Sequence, residues 1–414
     1  MRNIAVTGGG ASGMMAAIAA ARQGASVVIL EKNARVGKKL LATGNGRCNF
    51  TNVLTQSSHY HGENPGFADS ALARFTVQHT LEFFEALGIT CKVEENGKVF
   101  PRSNQASSVL DVLRHELQEQ KVRIRCDSEV AALEKSGRHF ILSLHDGSHH
   151  EADRVILAAG GKASPNLSSA GLGYPLASML GHGIITPNPA LVPLKLDFAS
   201  LKQIRGIKWD GKASILVDKK AAESAEGEIL FTEYGISGPP VLNLSRTALE
   251  HQRKGEHVEI QVSLVPEMSH QALMESLSAR FGRSGNKSLD FALVGFINKQ
   301  LIPVVLKSAG IPHRDGPAAA LTKPELQRLA GILQDWRFPV TGFFNWSHAQ
   351  VTTGGVRTKE IDPETLQSKL VPGLYFTGEI LDIDGDCGGF NLQWAWSSGH
   401  VAGSHAAADS HASS

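Results

Sequence analysis

Cysteine is scarce in this chain: only Cys48, Cys91, Cys126 and Cys387 occur in 414 residues, and no two form a C-x-x-C pair. That excludes a disulfide framework and a structural zinc knuckle, and it fits a reducing compartment, so a cytoplasmic protein is expected. Excess charge is missing as well. Lys and Arg number 41 against 40 Asp and Glu, so no global field draws the protein to nucleic acid or anionic lipid. Seventeen histidines are scattered without an H-E-x-x-H spacing, and no metal site is expected. Long apolar runs are absent. The one apolar stretch near the N-terminus, Ala11 to Ala21, is too short to span a bilayer, and it follows a strand-like segment instead of a basic leader. No internal repeat is present.

What is there is an ordinary globular composition, 42% hydrophobic and 20% charged, in a chain long enough for two or three lobes. The pattern opens as a βαβ unit, with strands at Asn3 to Thr7 and Ser26 to Leu30 around a helix at Ala11 to Arg22. Helical spacing returns over Gly66 to Leu87 and Ser107 to Glu119. Strands follow at Val122 to Arg125, Val130 to Glu134, His139 to Leu144 and Arg154 to Ala158, with Asp146-Gly147 as a turn. From Pro193 the texture changes to short strands, including Ile204 to Trp209 and Ala213 to Asp218, with Asp210-Gly211 read as a tight hairpin turn. Helical segments at Gln271 to Phe281, Leu289 to Leu306 and Lys323 to Trp336 come next. An apolar helix from Gly389 to Ala402 closes the pattern, before a tail from Ser404 expected to fray. These signals predict an α/β fold. A discontinuous nucleotide-binding domain (1–190 and 348–414) is interrupted by a β-rich insertion (191–265 with 337–347) and a helical one (266–336).

The strongest local motif is Gly8-Gly9-Gly10-Ala11-Ser12-Gly13, between a strand and a helix. Gly8 permits the sharp turn, Gly10 lets a pyrophosphate approach the backbone, and Gly13 lets helix and strand pack closely. The helix N-terminus then offers unpaired N–H groups to phosphate. Glu31 ends the second strand, where a carboxylate can accept from both ribose hydroxyls. An acid there disfavours NADP in this pocket and leaves NAD and FAD open. The remaining chain separates them. After Glu31 comes a basic, glycine-rich loop, Arg35 to Lys39 and then Thr43-Gly44-Asn45-Gly46-Arg47-Cys48-Asn49, suited to phosphate and a heteroaromatic ring. Val155 to Leu157 runs into Ala158-Ala159-Gly160-Gly161, which lets backbone approach a ligand. Near the C-terminus, Gly373 to Phe376 leads to Gly378-Glu379, and Gly385 to Asn391 leads into a helix. A helix N-terminus aimed at N1 and the C2 carbonyl would stabilise the negative charge of a reduced flavin.

On these residues the chain closely resembles the HI0933-like family of bacterial FAD-dependent oxidoreductases. The matching stretches are Gly8 to Gly13, Lys38 to Asn52, Val99 to Ser103, Leu230 to Pro239, Val351 to Val356 and Gly378 to Ala395. The resemblance implies a Rossmann-like FAD domain of the glutathione-reductase type, interrupted by a β-barrel-like and a small helical insertion, with noncovalent FAD. It also implies that Ala170 to Tyr174 lie near the flavin. Family members include aminoacetone-oxidase-like proteins and reductases of unsaturated bile-acid intermediates, so the implied activity is hydride transfer between a small organic substrate and flavin N5. Phe390 departs from the tyrosine more common there.

The expected cofactor contacts are Gly8, Gly10, Ala11, Ser12, Gly13, Glu31, Lys32, Lys38, Thr43, Gly44, Asn45, Arg47, Val130, Ala159, Gly160, Gly378, Glu379, Gly389, Phe390 and Asn391. Candidate catalytic side chains are Arg47, Tyr234, His348 and Cys387; Arg47 is equally a pyrophosphate contact, Tyr234 a core anchor and His348 a satisfied strand-end polar group, while Cys48 reads as a redox thiol or as a small residue filling its loop. A second nucleotide fold is not supported, because Leu176 stands where Gly171-Leu172-Gly173 would need a third glycine. If NADH or NADPH is the electron donor, it must therefore dock transiently in the substrate cleft; otherwise oxygen or another acceptor recycles the flavin, so oxidase and reductase both stay open. Two other readings stand beside this one. An RNA-modifying flavoprotein would need a basic stripe, for which Lys202, Lys208, Lys212, Lys219 and Lys220 are the candidates, although aromatic interleaving is lacking. A non-enzymatic FAD protein would show no turnover.

Overall fold

Ile4, Ala5 and Val6 are buried, as are Val27 to Leu30 and Val155 to Leu157. Uninterrupted apolar strands of this kind belong to a parallel sheet covered on both faces. In the computed structural model, which describes residues 1–167, 169–311, 313 and 315–408, they form such a sheet. Its strands are β1 (Asn3–Thr7), β2 (Ser26–Leu30), β3 (Arg123–Arg125), β4 (Arg154–Leu157) and β5 (Leu374–Phe376). The order is β5-β4-β1-β2-β3, parallel throughout, with Val6 opposite both Ile29 and Ile156. Helix α1 (Ala11–Arg22) is the β1–β2 crossover, and its alanines keep it thin enough to lie close to neighbouring backbone.

The longest helix, α2 (Phe390–Ala407), lies along α1. Two glycines set that spacing. A Cβ on Gly399 would sit 2.5 Å from the Ser12 carbonyl oxygen, and one on Gly403 would sit 2.1 Å from that of Ala16. Trp394 and Trp396 are fully buried on this helix. Their indoles donate to the Gly378 carbonyl at 3.2 Å and the Phe50 carbonyl at 2.8 Å, which ties the end of the chain to its beginning.

The chain divides into two compact units, residues 1–189 with 349–414, and residues 190–348. The second holds a closed six-stranded barrel, in the order Leu194–Leu196, Gly235–Ser237, Lys220–Phe231, Lys208–Val217, Val258–Ser263, Trp336–Phe343. Phe231, Trp336 and Phe338 fill its interior. The unit also carries the helices Leu201–Ile204, Pro239–Arg253, His270–Gly282, Leu289–Leu293, Ile302–Ser308 and Lys323–Gln334, of which Pro239–Arg253 was not expected from the sequence. Among the described residues no helix is long and apolar enough to cross a membrane, and no cluster of His, Cys, Asp and Glu could hold a metal ion.

Several sequence expectations need correction. Asp210-Gly211 is not a turn: both lie inside Lys208–Val217, with Gly211 facing Gly227, and the hairpin turns at Asp218-Lys219, whose φ values are 47 and 69. Gly211 is small because a Cβ there would meet the Ser263 carbonyl oxygen of the adjacent strand at 2.6 Å. Leu201–Ile204 is a short helix, and the strand begins only at Lys208. The stretch 66–87 is two helices, Ala68–Arg74 and Val77–Ala86. Thr76 breaks them apart as a capping box with His79. Leu289 to Leu306 is likewise two short helices, separated by a turn at Gly295 with φ 80. Helix α2 continues past Ser404 to Ala407; the rest of the expected tail, 409–414, lies outside the described residues.

Candidate functional site

The glycine turn between β1 and α1 divides its labour by position. Gly8 has φ 102, and a Cβ on it would meet the Ala158 carbonyl oxygen at 2.6 Å. A Cβ on Gly13 would lie 2.0 Å from the Gly8 carbonyl oxygen, so that glycine serves helix–strand packing. Gly10 is different: nothing of the protein lies within 4 Å of a Cβ there. It is also the N-cap of α1 and has no side-chain capping bond, so the open space faces the electropositive end of a helix. Ala11 is half-buried and Ser12 buried beside it.

Glu31 is buried, 6% exposed, and its carboxylate is stitched to the same turn. Oε2 accepts from the Gly9 amide at 2.6 Å, and Oε1 accepts from the Asn33 amide at 2.9 Å and from the Asn33 side chain. A carboxylate has about four acceptor positions, so capacity for a hydroxyl remains. The Ser128 amide donates to the Glu31 carbonyl at 2.9 Å, which starts the strand carrying half-buried Val130 close to this acid. Lys32 and Lys38 are half-buried on the loop that follows, which is tied to the turn by the Gly37 amide on the Gly9 carbonyl at 2.8 Å.

The C-terminal motif closes onto this turn. Gly378 has φ 75, and a Cβ there would sit 2.5 Å from Ser12 Oγ. Glu379 bridges three segments. Its Oε2 pairs with Lys39 Nζ at 2.7 Å, and its Oε1 accepts from the Thr352 amide at 2.9 Å. Thr352 Oγ1 in turn accepts from the amides of Lys162 and Ala163 at 2.8 and 2.9 Å, just beyond Ala159 and Gly160 at the end of β4. A Cβ on Gly161 would strike both Thr352 and Glu379. Lys39 and Thr352 lie within the motifs read from sequence but were not in the expected contact set.

At the start of α2, Gly389 is left-handed with φ 105 and again lacks a side-chain cap. A Cβ on it would meet the Thr51 carbonyl oxygen at 2.4 Å. Phe390 is buried at the first helical position. Asn391 clamps the preceding loop, accepting from the Gly385 amide at 2.8 Å and donating to its carbonyl at 2.7 Å. The loop 40–46 is kinked at Thr43, Gly44 and Asn45, the last two left-handed; Thr43 Oγ1 donates to the Leu40 carbonyl at 2.7 Å. Arg47 is held by Glu94 at 2.6 Å and by Asn104, over the Phe100 ring at 4.0 Å.

The remaining candidates each have a structural engagement of their own. Tyr234 and His348 belong to the 190–348 unit. Tyr234 is stacked on Phe344 at 3.7 Å, and burial raises its phenol; His348 Nδ1 lies 2.8 Å from Asn345 Oδ1. Burial pushes the Cys48 thiol up to about 12, and burial, eased slightly by Lys98, also raises Cys387, so neither is a ready thiolate.

Among the described residues of the 1–189 and 349–414 unit, the buried polar atoms without a protein partner include Thr7 Oγ1, Arg154 Nε, the Tyr174 hydroxyl and Asn49 Oδ1. Burial first, then Glu379 and Asp382, raises the Tyr174 phenol, which holds it as a neutral donor. Asn49 Oδ1 lies 2.9 Å from where a Gly389 Cβ would be, at the start of α2. Buried orphans of this kind call for a polar ligand. Together with the open volume at Gly10 and two uncapped helix starts, they fit an extended dinucleotide.

A family model described as the HI0933-like protein Rossmann domain matches residues 2–405. The chain belongs to the HI0933-like family. The 3-dehydro-bile acid delta(4,6)-reductase of Clostridium scindens is 42% identical over 409 residues, 98% of this chain and 99% of that protein. The ribosomal RNA dihydrouridine synthase of Escherichia coli is 32% identical over 393 residues, 95% of each. A solved flavocytochrome c3 fumarate reductase in its open conformation superposes with a TM-score of 0.48 at 17% identity, covering 98% of this chain and 78% of its own. As an HI0933-like protein, this chain is a flavoprotein oxidoreductase built on a Rossmann FAD-binding domain.

Proposed function

We propose that this HI0933-like protein reduces a carbon–carbon double bond conjugated to a carbonyl in a small organic molecule. The names of the two relatives given above describe one kind of chemistry on different molecules. A delta(4,6)-reductase acting on a 3-dehydro bile acid saturates a bond conjugated to a ketone, and a dihydrouridine synthase saturates the bond conjugated to a uracil carbonyl. FAD, held noncovalently, supplies the hydride when bound. Gly8 to Gly13 and the open space at Gly10 admit a pyrophosphate, Glu31 accepts from a ribose, and Lys39 with Glu379 locks the basic loop onto the Gly378 turn. The start of α2 at Gly389 presents unclaimed N–H groups and a partial positive charge to an anionic group. NADH or NADPH, docking transiently, serves as donor, and the thinly spread thiols suit the reducing cytoplasm.

The observation that carries the choice of a small molecule over RNA is the charge of the hairpin spanning 208–231. Its lysines Lys208, Lys212, Lys219 and Lys220 share it with Asp210, Asp218, Glu223, Glu226 and Glu228. Lys208 pairs with Glu228 at 2.8 Å and Lys212 with Glu226 at 3.8 Å. Acids thus outnumber lysines on this hairpin and two of the lysines are already paired, which leaves little of the stripe that a phosphate backbone would need. Anaerobic stopped-flow mixing of the photoreduced holoprotein with a 3-oxo-4-ene steroid tests the reading. The expected result is recovery of the oxidised flavin spectrum, with loss of the enone absorbance and a product two hydrogens heavier. Reoxidation by oxygen alone, with the enone unchanged, would overturn it.

A further inference from the structure

His59 and His61, outside the cofactor motifs, meet Asp386 of the Gly385 to Asn391 motif in a triad that no sequence pattern announced. His59 Nδ1 lies 3.1 Å from Asp386 Oδ2, and His61 Nε2 lies 2.8 Å from Asp386 Oδ1. The arrangement is built into backbone. Tyr60–His61 pairs antiparallel with Asp384–Gly385, the Asp386 amide donates to the His59 carbonyl at 3.0 Å, and Asn391 fixes the Gly385 turn from the first turn of α2. His59 also stacks on the Phe390 ring, with centroids 4.1 Å apart and planes 18° apart. The imidazole is therefore held face-on to the first residue of α2, next to the uncapped helix start, and its side chain is 30% exposed. Two imidazoles sharing one carboxylate at such a place are more than a surface needs.

An ionised carboxylate only accepts hydrogen bonds, so the His59 nitrogen facing Asp386 carries a hydrogen in either charge state. Nε2, turned from the carboxylate, is the nitrogen whose proton can leave. We propose that His59 is the acid that completes the reduction assigned above, on which this inference rests. Hydride arrives at the carbon β to the carbonyl and forms a C–H bond with its own electron pair. The π pair of the double bond moves to the α-carbon and takes the proton from His59 Nε2. His59 is left neutral, with Nδ1–H still on Asp386, and regains a proton from water. The substrate gains two hydrogens, and the reduced flavin is the species oxidised. Asp386 is a positioning residue that fixes the tautomer and the ring, His61 shares its charge, and Phe390 sets the ring plane.

The test separates the half-reactions of the holoprotein. His59→Gln is expected to slow reoxidation by the 3-oxo-4-ene steroid by about 10²- to 10⁴-fold, the range of one general acid, while the bound FAD content and visible spectrum stay as in wild type. His59→Phe keeps the stack on Phe390 and is expected to be equally slow. The wild-type solvent deuterium isotope effect on this step is expected to disappear in both, and imidazole added to His59→Ala to restore part of the rate. Wild-type protein inert towards the steroid would overturn the reductase reading, and the proton assignment with it. An active wild type whose His59→Gln or His59→Phe variant keeps the rate would overturn the proton assignment alone.

Discussion

At the scale of single residues, glycines that look alike in the motif carry different loads. Gly10 and Gly13 stand three apart, yet a methyl group on the first meets open space and on the second meets the Gly8 carbonyl oxygen at 2.0 Å. Gly10 also has an extended backbone, with φ −77 and ψ −173, that alanine adopts without strain. Gly10→Ala is thus expected to leave the apoprotein's melting temperature unchanged and to weaken FAD binding at least tenfold, about 1.4 kcal/mol, read by flavin fluorescence on titration. Gly13→Ala is expected to cost the fold itself about 1–3 kcal/mol through overpacking, read by chemical denaturation of the apoprotein. Equal stability losses in the two variants would contradict this division.

At the scale of elements, α2 is the piece that joins distant parts of its unit, through its indoles and its glycine seam with α1. It also carries His400, stacked on Phe75 at 4.5 Å. Burial, with smaller contributions from His79, Arg22 and His405, lowers the His400 imidazole from its ordinary 6.5 to about 4. As pH falls the unfolded chain takes this proton first, so the contribution is intact above 6.5, declines between 6.5 and about 4, and levels off below. Buried His182 is lowered for the same reason and adds a decline of the same sign. His400→Phe keeps a ring against Phe75 and removes the titration. The drop in melting temperature between about pH 7.5 and about pH 5 is expected to be smaller than in wild type, and an unchanged drop would show that this helix does not carry it.

At the scale of the whole molecule, near-neutral charge and internally paired lysines argue against an electrostatic partner. Binding to ribosomal RNA fragments is expected to be weak, with little dependence on salt, in a filter or anisotropy assay. A steep decline between about 50 and 200 mM salt, the mark of several phosphate contacts, would instead favour an RNA substrate.

Local order was legible in the chain because it rests on local physics. The boundaries of β1, α1 and β2 follow from a buried apolar run, a glycine turn and alanine-rich helical spacing, and all three were read to the residue. The turn at Asp146-Gly147 likewise stands between two strands as its residues require. Gly211 misled because a glycine needed for close strand approach has the same signature as one needed for a turn, and only the neighbouring Ser263 carbonyl distinguishes them. The hinge at Thr76 hid inside helical periodicity, since a cap depends on one hydroxyl and not on spacing. Lys39 to Glu379 and His59 to Asp386 join residues more than three hundred positions apart. No periodicity links such positions; they meet because parallel strand order and the packing of α2 on α1 bring the two ends of the chain together. The sequence by itself thus determined the glycine turn after β1, the family and most elements. The tertiary structure alone decided which charges face one another, because that depends on where the backbone returns.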